Sequence, residues 1–393
     1  MKAKVWKLIG LISIMIFALS TAVSVHAQLT TIINVGGGPF ALAYDSSTNE
    51  VFVVNGGGEI QVISSDNTVT STITTLEPSS LYYITYDSGT GDMWLGGSSG
   101  VVAMSSTGQV IANIPLGGVE SSIAYDSGTS QLFVPYYNSN DNSYTLGVIS
   151  DSSPYSIVAN ITLPGVSSPV YDPAQHEIFA IADDSSGNPL QISVISDSND
   201  QIAKNITVST LAASLVYDSK DDEIFALTAQ STLVVISGKT DQILTTIPNL
   251  NIDLWSTMAY DSGKDYIYMN GASDVNVVSA STNKLLGTVN DNGTVYEDET
   301  PEGITYNSGT SMIYAINNGG SDASPDGSIA VISDGSTGTS PSATPSSTTT
   351  ATSTPTSTQK VPEFSSAALT IVVMVMAAIA LCAVAYSKKK RDV

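Results

Sequence analysis

The side chains that most often carry catalysis are scarce in this 393-residue chain, which has two histidines and one cysteine. His26 falls in an N-terminal segment of the export type, His176 lies in a turn-like run before an apolar strand, and Cys382 lies in a C-terminal apolar stretch. His26 is expected to be removed with that segment, and His176 in its turn is a poor candidate for the base of a Ser-His-Asp triad or for a ligand of zinc, copper or haem. The single cysteine excludes a disulfide within the chain. The sequence therefore predicts no catalytic residue.

Carboxylates are the abundant reactive groups. Glu297, Asp298 and Glu299 form an acidic run shortly before Glu302, and a second run covers residues 221–223. Oxygen ligands of this kind suit Ca²⁺, although neither run has EF-hand spacing. Each run is therefore either a calcium site or a solvated acidic loop, and the sequence requires no other cofactor.

Charge is distributed unevenly along the chain. Residues 28–360 contain 34 acidic residues, six lysines and no arginine, which gives a net charge of −28. Nucleic-acid binding depends on basic contacts to phosphate, so it is excluded as a function. The same acidity keeps a domain soluble and repels anionic partners.

A Tyr-Asp pair recurs along the middle of the chain. Its intervals are 39 to 46 residues, which is the length of one four-stranded blade of a β-propeller. The seven tyrosines, of which the last is followed by Asn, are Tyr44, Tyr86, Tyr125, Tyr171, Tyr217, Tyr260 and Tyr306. An aromatic residue follows eight positions after each of them, at Phe52, Trp94, Phe133, Phe179, Phe225, Tyr268 and Tyr314. We interpret both sets as packing positions between neighbouring blades.

These repeats predict an all-β fold, a seven-bladed β-propeller over residues 28–335. In the first repeat the expected strands are 40–44, 51–54, 60–64 and 69–75, separated by turn-forming residues. The last repeat ends after its third strand, while an unassigned strand, 29–35, precedes the first repeat. We predict that this N-terminal strand completes the last blade and closes the ring.

In a propeller, the loops that precede the inner strands all lie at the same end of the central channel, which we call the mouth. The positions five and six residues before each repeated Asp place Phe40, Tyr82, Glu120, Trp255 and Glu302 there. Aromatic rings among polar groups can stack on sugars or hold a peptide, or they can plug the channel. Both interpretations remain open at this stage.

The two ends of the chain predict export and anchoring. Residues 1–27 resemble a signal peptide, with lysines near the start, an apolar run over 8–19 and small residues before the expected cleavage after Ala27. An uncleaved N-terminal anchor is the alternative. Residues 336–362 are rich in Ser, Thr and Pro and predict an extended stalk.

The stalk is followed by a predicted transmembrane helix, 363–387, which includes 23 uncharged residues, long enough at about 34 Å to span a bilayer. Residues 388–393 form a basic tail that favours the cytoplasmic side, so we expect an extracellular domain anchored in the cytoplasmic membrane.

The sequon Asn-x-Ser/Thr occurs at three positions within the predicted propeller, Asn160, Asn205 and Asn292. Two of them fall in predicted outer strands of successive blades. We take all three as candidate glycosylation sites.

Two family resemblances follow from these motifs. Phe52, Val53, Val54 and Asn55, with Tyr314 to Asn317 as the next best copy, resemble the tetrapeptide of the YVTN (YncE-like) propeller repeat of archaeal and bacterial surface-layer-type proteins. This resemblance spans about residues 30–335 and implies a propeller exposed at the cell surface. Val361 to Phe364, followed by the apolar span, resembles the PEF-type sorting signal of archaeal surface proteins. That signal implies cleavage and transfer to a lipid, and an uncut anchor is the alternative.

Three functions fit these observations. The first is a surface-anchored propeller that acts as a binding or adhesion module, with surface glycans or envelope proteins as partners, or as a structural part of the envelope. The second is an extracellular lactonase-like or lyase-like enzyme that uses a carboxylate-bound divalent metal. The third is a scaffold within a membrane complex. We favour the first, because it requires no reactive residue.

Overall fold

The computed structural model describes residues 27–335 except for a set of short gaps, at 57, 75–79, 140–141, 253–255, 272–273, 292–302 and 319–326. Almost all of the predicted signal peptide, together with the stalk, the transmembrane helix and the basic tail, lies outside the described residues. Within the described part of the chain, no helix has the length and apolar character needed to cross a membrane.

The described chain forms seven four-stranded antiparallel sheets, which confirms the predicted all-β, seven-bladed propeller. From the inner to the outer strand, blade 1 consists of Pro39–Asp45, Glu50–Asn55, Glu59–Ile63 and Val69–Thr74, and blade 2 of Leu81–Asp87, Asp92–Gly97, Gly100–Ser105 and Val110–Pro115. Blade 3 consists of Ala124–Asp126, Gln131–Asn138, Ser143–Ser150 and Ile157–Thr162. Blade 4 consists of Ser167–Asp172, Glu177–Ala182, Gln191–Ser196 and Gln201–Thr207. In the same order, blade 5 consists of Ala212–Asp218, Glu223–Thr228, Thr232–Ser237 and Gln242–Ile247. Blade 6 consists of Met258–Asp261, Tyr266–Asn270, Asp274–Ser279 and Lys284–Asn290. Blade 7 consists of Ile304–Asn307, Met312–Asn318, Ser328–Ser333 and Gln28–Asn34.

The N-terminal strand Gln28–Asn34 is the outer strand of blade 7, as predicted. It runs antiparallel to Ser328–Ser333, with Ile32 opposite Ala330 and Ile33 opposite Ile329. Ile33 is buried in the cluster between blades 7 and 1, whereas Ile32 faces outward. Closing the ring in this way gives the third strand of blade 7 a hydrogen-bonded neighbour on both sides.

The repeated aspartate organises the turn after each inner strand. Each of the six Asp residues and Asn307 is completely buried. In blade 2, for example, Asp87 Oδ1 accepts bonds from the backbone N–H groups of Gly89, at 2.8 Å, and Thr90, at 3.1 Å. Four residues after each Asp or Asn, the chain adopts a left-handed conformation, at Asn49, Gly91, Ser130, His176, Asp222, Asp265 and Ser311. His176 is therefore a turn residue, and its side chain is 63% exposed.

The repeated tyrosine reaches the turn of the preceding blade. A Cβ at Gly89, Gly128 or Gly263 would collide with the hydroxyl of the next blade's tyrosine, namely Tyr125, Tyr171 and Tyr306. Between blades 7 and 1, the backbone N–H of Gly309 donates to the Tyr44 hydroxyl at 3.2 Å. Burial, together with nearby aspartates, raises the pKa of Tyr125, Tyr171 and Tyr306 well above the usual range. These phenols therefore stay protonated and available as donors.

The core consists of apolar layers between neighbouring blades rather than one central cluster. The repeated aromatic residues of the second strands, Phe52, Trp94, Phe133, Phe179, Phe225, Tyr268 and Tyr314, are all completely buried in these layers. Each of the seven outer strands also contains a β-bulge, which twists the exposed edge and hinders pairing with another chain.

Candidate functional site

A cavity of about 610 Å³ occupies the end of the propeller axis at which the inner strands begin. All seven blades contribute to its wall, six through their inner strands and blade 3 through the segment just before Ala124–Asp126. The residues three and four positions before the repeated Asp or Asn supply most of it, and they are Ala41, Leu42, Tyr83, Ile84, Ser122, Ile123, Ser168, Pro169, Ser214, Leu215, Thr257, Met258, Gly303 and Ile304. An opening of this size suits a small ligand.

The predicted mouth residues are only partly on this wall. Phe40 and Glu120 line the cavity, whereas Tyr82 does not and Tyr83 takes its place. Phe40 and Tyr82 occupy equivalent positions, since the inner strands of blades 1 and 2 have the same register shift there. Near such a bulge, simple alternation does not predict which side chains face the cavity. The other two predicted mouth residues, Trp255 and Glu302, lie outside the described residues.

Phe40 and Tyr82 form an aromatic pair at the rim. Their ring centroids are 5.3 Å apart and their planes are nearly perpendicular, at 86°. This edge-to-face contact joins blade 1 to blade 2 and fixes the orientation of Phe40. Tyr83 is anchored across the next joint, because its hydroxyl donates to the backbone carbonyl of Glu120 at 3.0 Å.

Hydroxyl groups connect the inner strands around the wall. Ser121 Oγ accepts a bond from the backbone N–H of Ser168 at 2.8 Å, and Ser168 Oγ accepts one from Leu215 at 2.9 Å. On the other side, Thr257 Oγ1 accepts a bond from the backbone N–H of Gly303 at 3.0 Å. The wall thus presents hydroxyls as well as aliphatic side chains.

The charged groups among the described lining residues are Glu120 and Asp183, both acidic. Asp183 is half-buried against Gly165, where the left-handed backbone and the absence of a Cβ let the carboxylate lie close to the loop. Burial, with a smaller contribution from Asp184, raises the pKa of Asp183 above its usual value. The mouth therefore disfavours anions and offers carboxylate acceptors to hydroxyl or amine donors.

A second carboxylate group lies at the opposite end of the inner strands, around a turn of blade 5. Among the described residues, Asp218, Asp221 and Asp265 are the one acidic group with oxygens within 4.8 Å of one another. The Lys220 ammonium already binds Asp265 there, at 2.9 Å. This group includes part of the predicted run 221–223. The other predicted calcium ligands, Glu297, Asp298 and Glu299, lie outside the described residues.

Two of the three candidate glycosylation sites can be placed. Asn160 and Asn205 are both exposed, on the outer strands of blades 3 and 4. Asn292 lies outside the described residues. Both asparagines lie on outer strands, three strand positions away from the inner strands at the axial cavity.

Sequence reasoning missed two wall residues that matter for chemistry. Tyr83 was overlooked because it lies four residues before Asp87, whereas the prediction covered only the positions five and six residues before each repeated Asp. Asp183 was overlooked because it belongs to the loop after the second strand of blade 4, whereas the prediction covered only the residues preceding the inner strands. Its position after an apolar strand, in a loop on the same side as the mouth, was the available signal.

Comparisons with known proteins add no closer identification. No protein-family model matches the chain, and the comparison with curated proteins gives no match. The structure confirms the seven-bladed fold that the resemblance to YVTN repeats implies, and membership of that family stays a prediction.

Proposed function

We propose that this protein is a surface-anchored binding module that takes a neutral carbohydrate in the axial cavity. The observation that carries the proposal is the composition of the wall, in which hydroxyls, an aromatic rim and two carboxylates surround a cavity of about 610 Å³. Sugars combine apolar ring faces with many hydroxyls, so they match a surface that combines aromatic and hydrogen-bonding groups.

The charge of the domain restricts the ligand further. A stretch with a net charge of −28 repels anions at long range, and Glu120 and Asp183 repel them at contact. Neutral sugars meet no such barrier, and their hydroxyls can donate to both carboxylates. Negatively charged polysaccharides are accordingly a poor fit.

Surface anchoring is the second half of the proposal. Its support comes from the sequence, with an export-type N-terminus, a Ser/Thr/Pro-rich stalk, an apolar segment and a basic tail in the order expected for an extracellular domain. Brief protease treatment of intact cells tests it. The full-length protein should lose its propeller to the medium, whereas a cytoplasmic protein in the same cells should stay intact.

Ligand binding is tested with residues 28–335 alone. A glycan array should show binding to neutral sugars, and calorimetry should then measure the affinity for the best of them. Phe40→Ala should weaken binding about tenfold to a hundredfold, in the range of a buried aromatic contact at about 1.4 kcal/mol per factor of ten. Tyr144→Ala is the matched control, because this tyrosine is 39% exposed on the third strand of blade 3, outside the cavity wall.

Two results would contradict the proposal. One is an array on which only anionic glycans, or none, bind the wild-type propeller. The other is equal affinity for the wild type and Phe40→Ala, which would move the binding surface away from the axial cavity.

A further inference from the structure

Two outer strands contain the same tripeptide, Asn-Ile-Thr, at the same register. Asn160 lies opposite Gly147 in blade 3, and Asn205 lies opposite Ser193 in blade 4. The isoleucine that follows each asparagine is buried, with 6% exposure in both cases, because successive side chains alternate between the two faces of a strand. The asparagine and the threonine of each sequon therefore share the exposed face.

The two amides are held in the same way. The Tyr136 hydroxyl donates to Asn160 Oδ1 at 3.1 Å, and the Ser193 hydroxyl donates to Asn205 Oδ1 at 2.8 Å. Neither Nδ2 donates to an acceptor within the described part of the chain. Substitution of this nitrogen therefore breaks no hydrogen bond of the fold, while the oxygen keeps the amide in place.

The position on the blade leaves room for a large substituent. An outer strand lies three strand spacings, about 14 Å, from the inner strand of its blade. A substituent on either asparagine projects from the circumference of the propeller. The axial cavity stays open, so this inference is independent of the proposed carbohydrate binding.

We infer that Asn160 and Asn205 are a pair of N-glycosylation sites on adjacent outer strands. The co-reactant is a sugar activated at its anomeric carbon as a lipid-linked phosphate or diphosphate, used by a transferase during export. A bond forms between Nδ2 and the anomeric carbon, the bond from that carbon to the phosphate oxygen breaks, and the lost amide proton neutralises the departing phosphate. The hydroxyl of the threonine two residues later completes the recognition sequence.

Glycopeptide mass spectrometry of the full-length chain from its natural host tests the pair. Each site counts as modified when its glycopeptide exceeds the unmodified peptide in amount, and we expect both sites to qualify. Thr162→Ala should abolish the sugar at Asn160, and Thr207→Ala should abolish it at Asn205. These threonine variants leave the hydrogen bonds of both asparagines intact, and Thr162→Ser, which keeps the sequon, should retain the sugar.

Blade 2 provides a matched control. Asn113 is exposed at the equivalent register, opposite Val102, but Pro115 stands where the sequon needs Ser or Thr. We expect Asn113 to be unmodified in the wild type and modified in Pro115→Thr. If the unmodified peptide dominates at Asn160 or at Asn205, or if the sugar persists in the threonine-to-alanine variants, the inference is wrong.

Discussion

Closure of the ring by the N-terminal strand can be tested with two neighbouring isoleucines. Ile33 is 7% exposed and packs between blades 7 and 1, whereas Ile32 on the opposite face of the same strand is 41% exposed. Truncating either isoleucine to alanine removes the same atoms and lowers the β-propensity by the same amount. The difference between Ile33→Ala and Ile32→Ala therefore isolates the burial of this strand against blade 1.

The magnitude follows from the burial. Truncating a buried isoleucine costs about 2–5 kcal/mol, and the lower half of that range applies because an outer strand can partly collapse onto the gap. A surface truncation costs about 0.5 kcal/mol or less. With about 300 residues, the entropy of unfolding is about 0.6 kcal/mol/K. The melting temperature should therefore fall by about 3–5 °C for Ile33→Ala and by under about 1 °C for Ile32→Ala.

Calorimetry of residues 28–335, supported by urea unfolding, measures both values. Because a slip of one residue exchanges the two faces of a strand, a larger effect for Ile32→Ala than for Ile33→Ala would show a different register. Equal, small effects for both variants would show that the strand does not complete blade 7.

Two further predictions concern the joints between blades and the acidic turns. Phe133→Ala should cost about 3–5 kcal/mol in urea unfolding, because this ring is completely buried, and Phe40→Ala at the rim should cost far less; comparable costs would contradict the layered core. Burial, followed by nearby aspartates, raises the pKa of Glu177 and of Glu223 from 4.5 to about 7. The folded state therefore binds more protons than the unfolded state between about pH 4.5 and 7, so stability should fall as the pH rises through this window. The double substitution Glu177→Gln and Glu223→Gln should make the melting temperature depend less on pH. An unchanged pH dependence would show that other groups cause it.

The blade count and ring closure were predictable from the sequence because both depend on local, repeated chemistry. Every inner strand ends in a Tyr-Asp or Tyr-Asn pair that the following turn requires, and every second strand places an aromatic residue in an interblade layer. The interval between these pairs gave the repeat length, and the missing strand after Ser333 indicated where the N-terminal strand belongs. One consequence was not predicted: the glycine two residues after Asp87, Asp126 or Asp261 makes room for the tyrosine of the next blade.

The cavity wall was predicted less completely, for a physical reason. A bulge adds one residue to a strand and so changes which side chain faces the axis, and no residue type marks that position reliably. Tyr82 and Tyr83 are adjacent tyrosines, so their sequence alone cannot show which one lines the cavity. Asp183 reaches the wall through tertiary packing against Gly165, a contact made by a different loop of the chain.

The two ends of the inner strands differ in a way that assigns them different roles. At the turn end, the same Asp, left-handed residue and tyrosine recur because each joint between blades depends on them. At the cavity end, the position four residues before the repeated Asp or Asn carries a hydroxyl in five of the seven blades, at Tyr83, Ser122, Ser168, Ser214 and Thr257. The interblade joints do not require this recurrence, because the turn at the other end of each inner strand already connects neighbouring blades. A ring of hydroxyls around one axis is what the proposed carbohydrate requires, since a sugar presents hydroxyls on several sides of its ring.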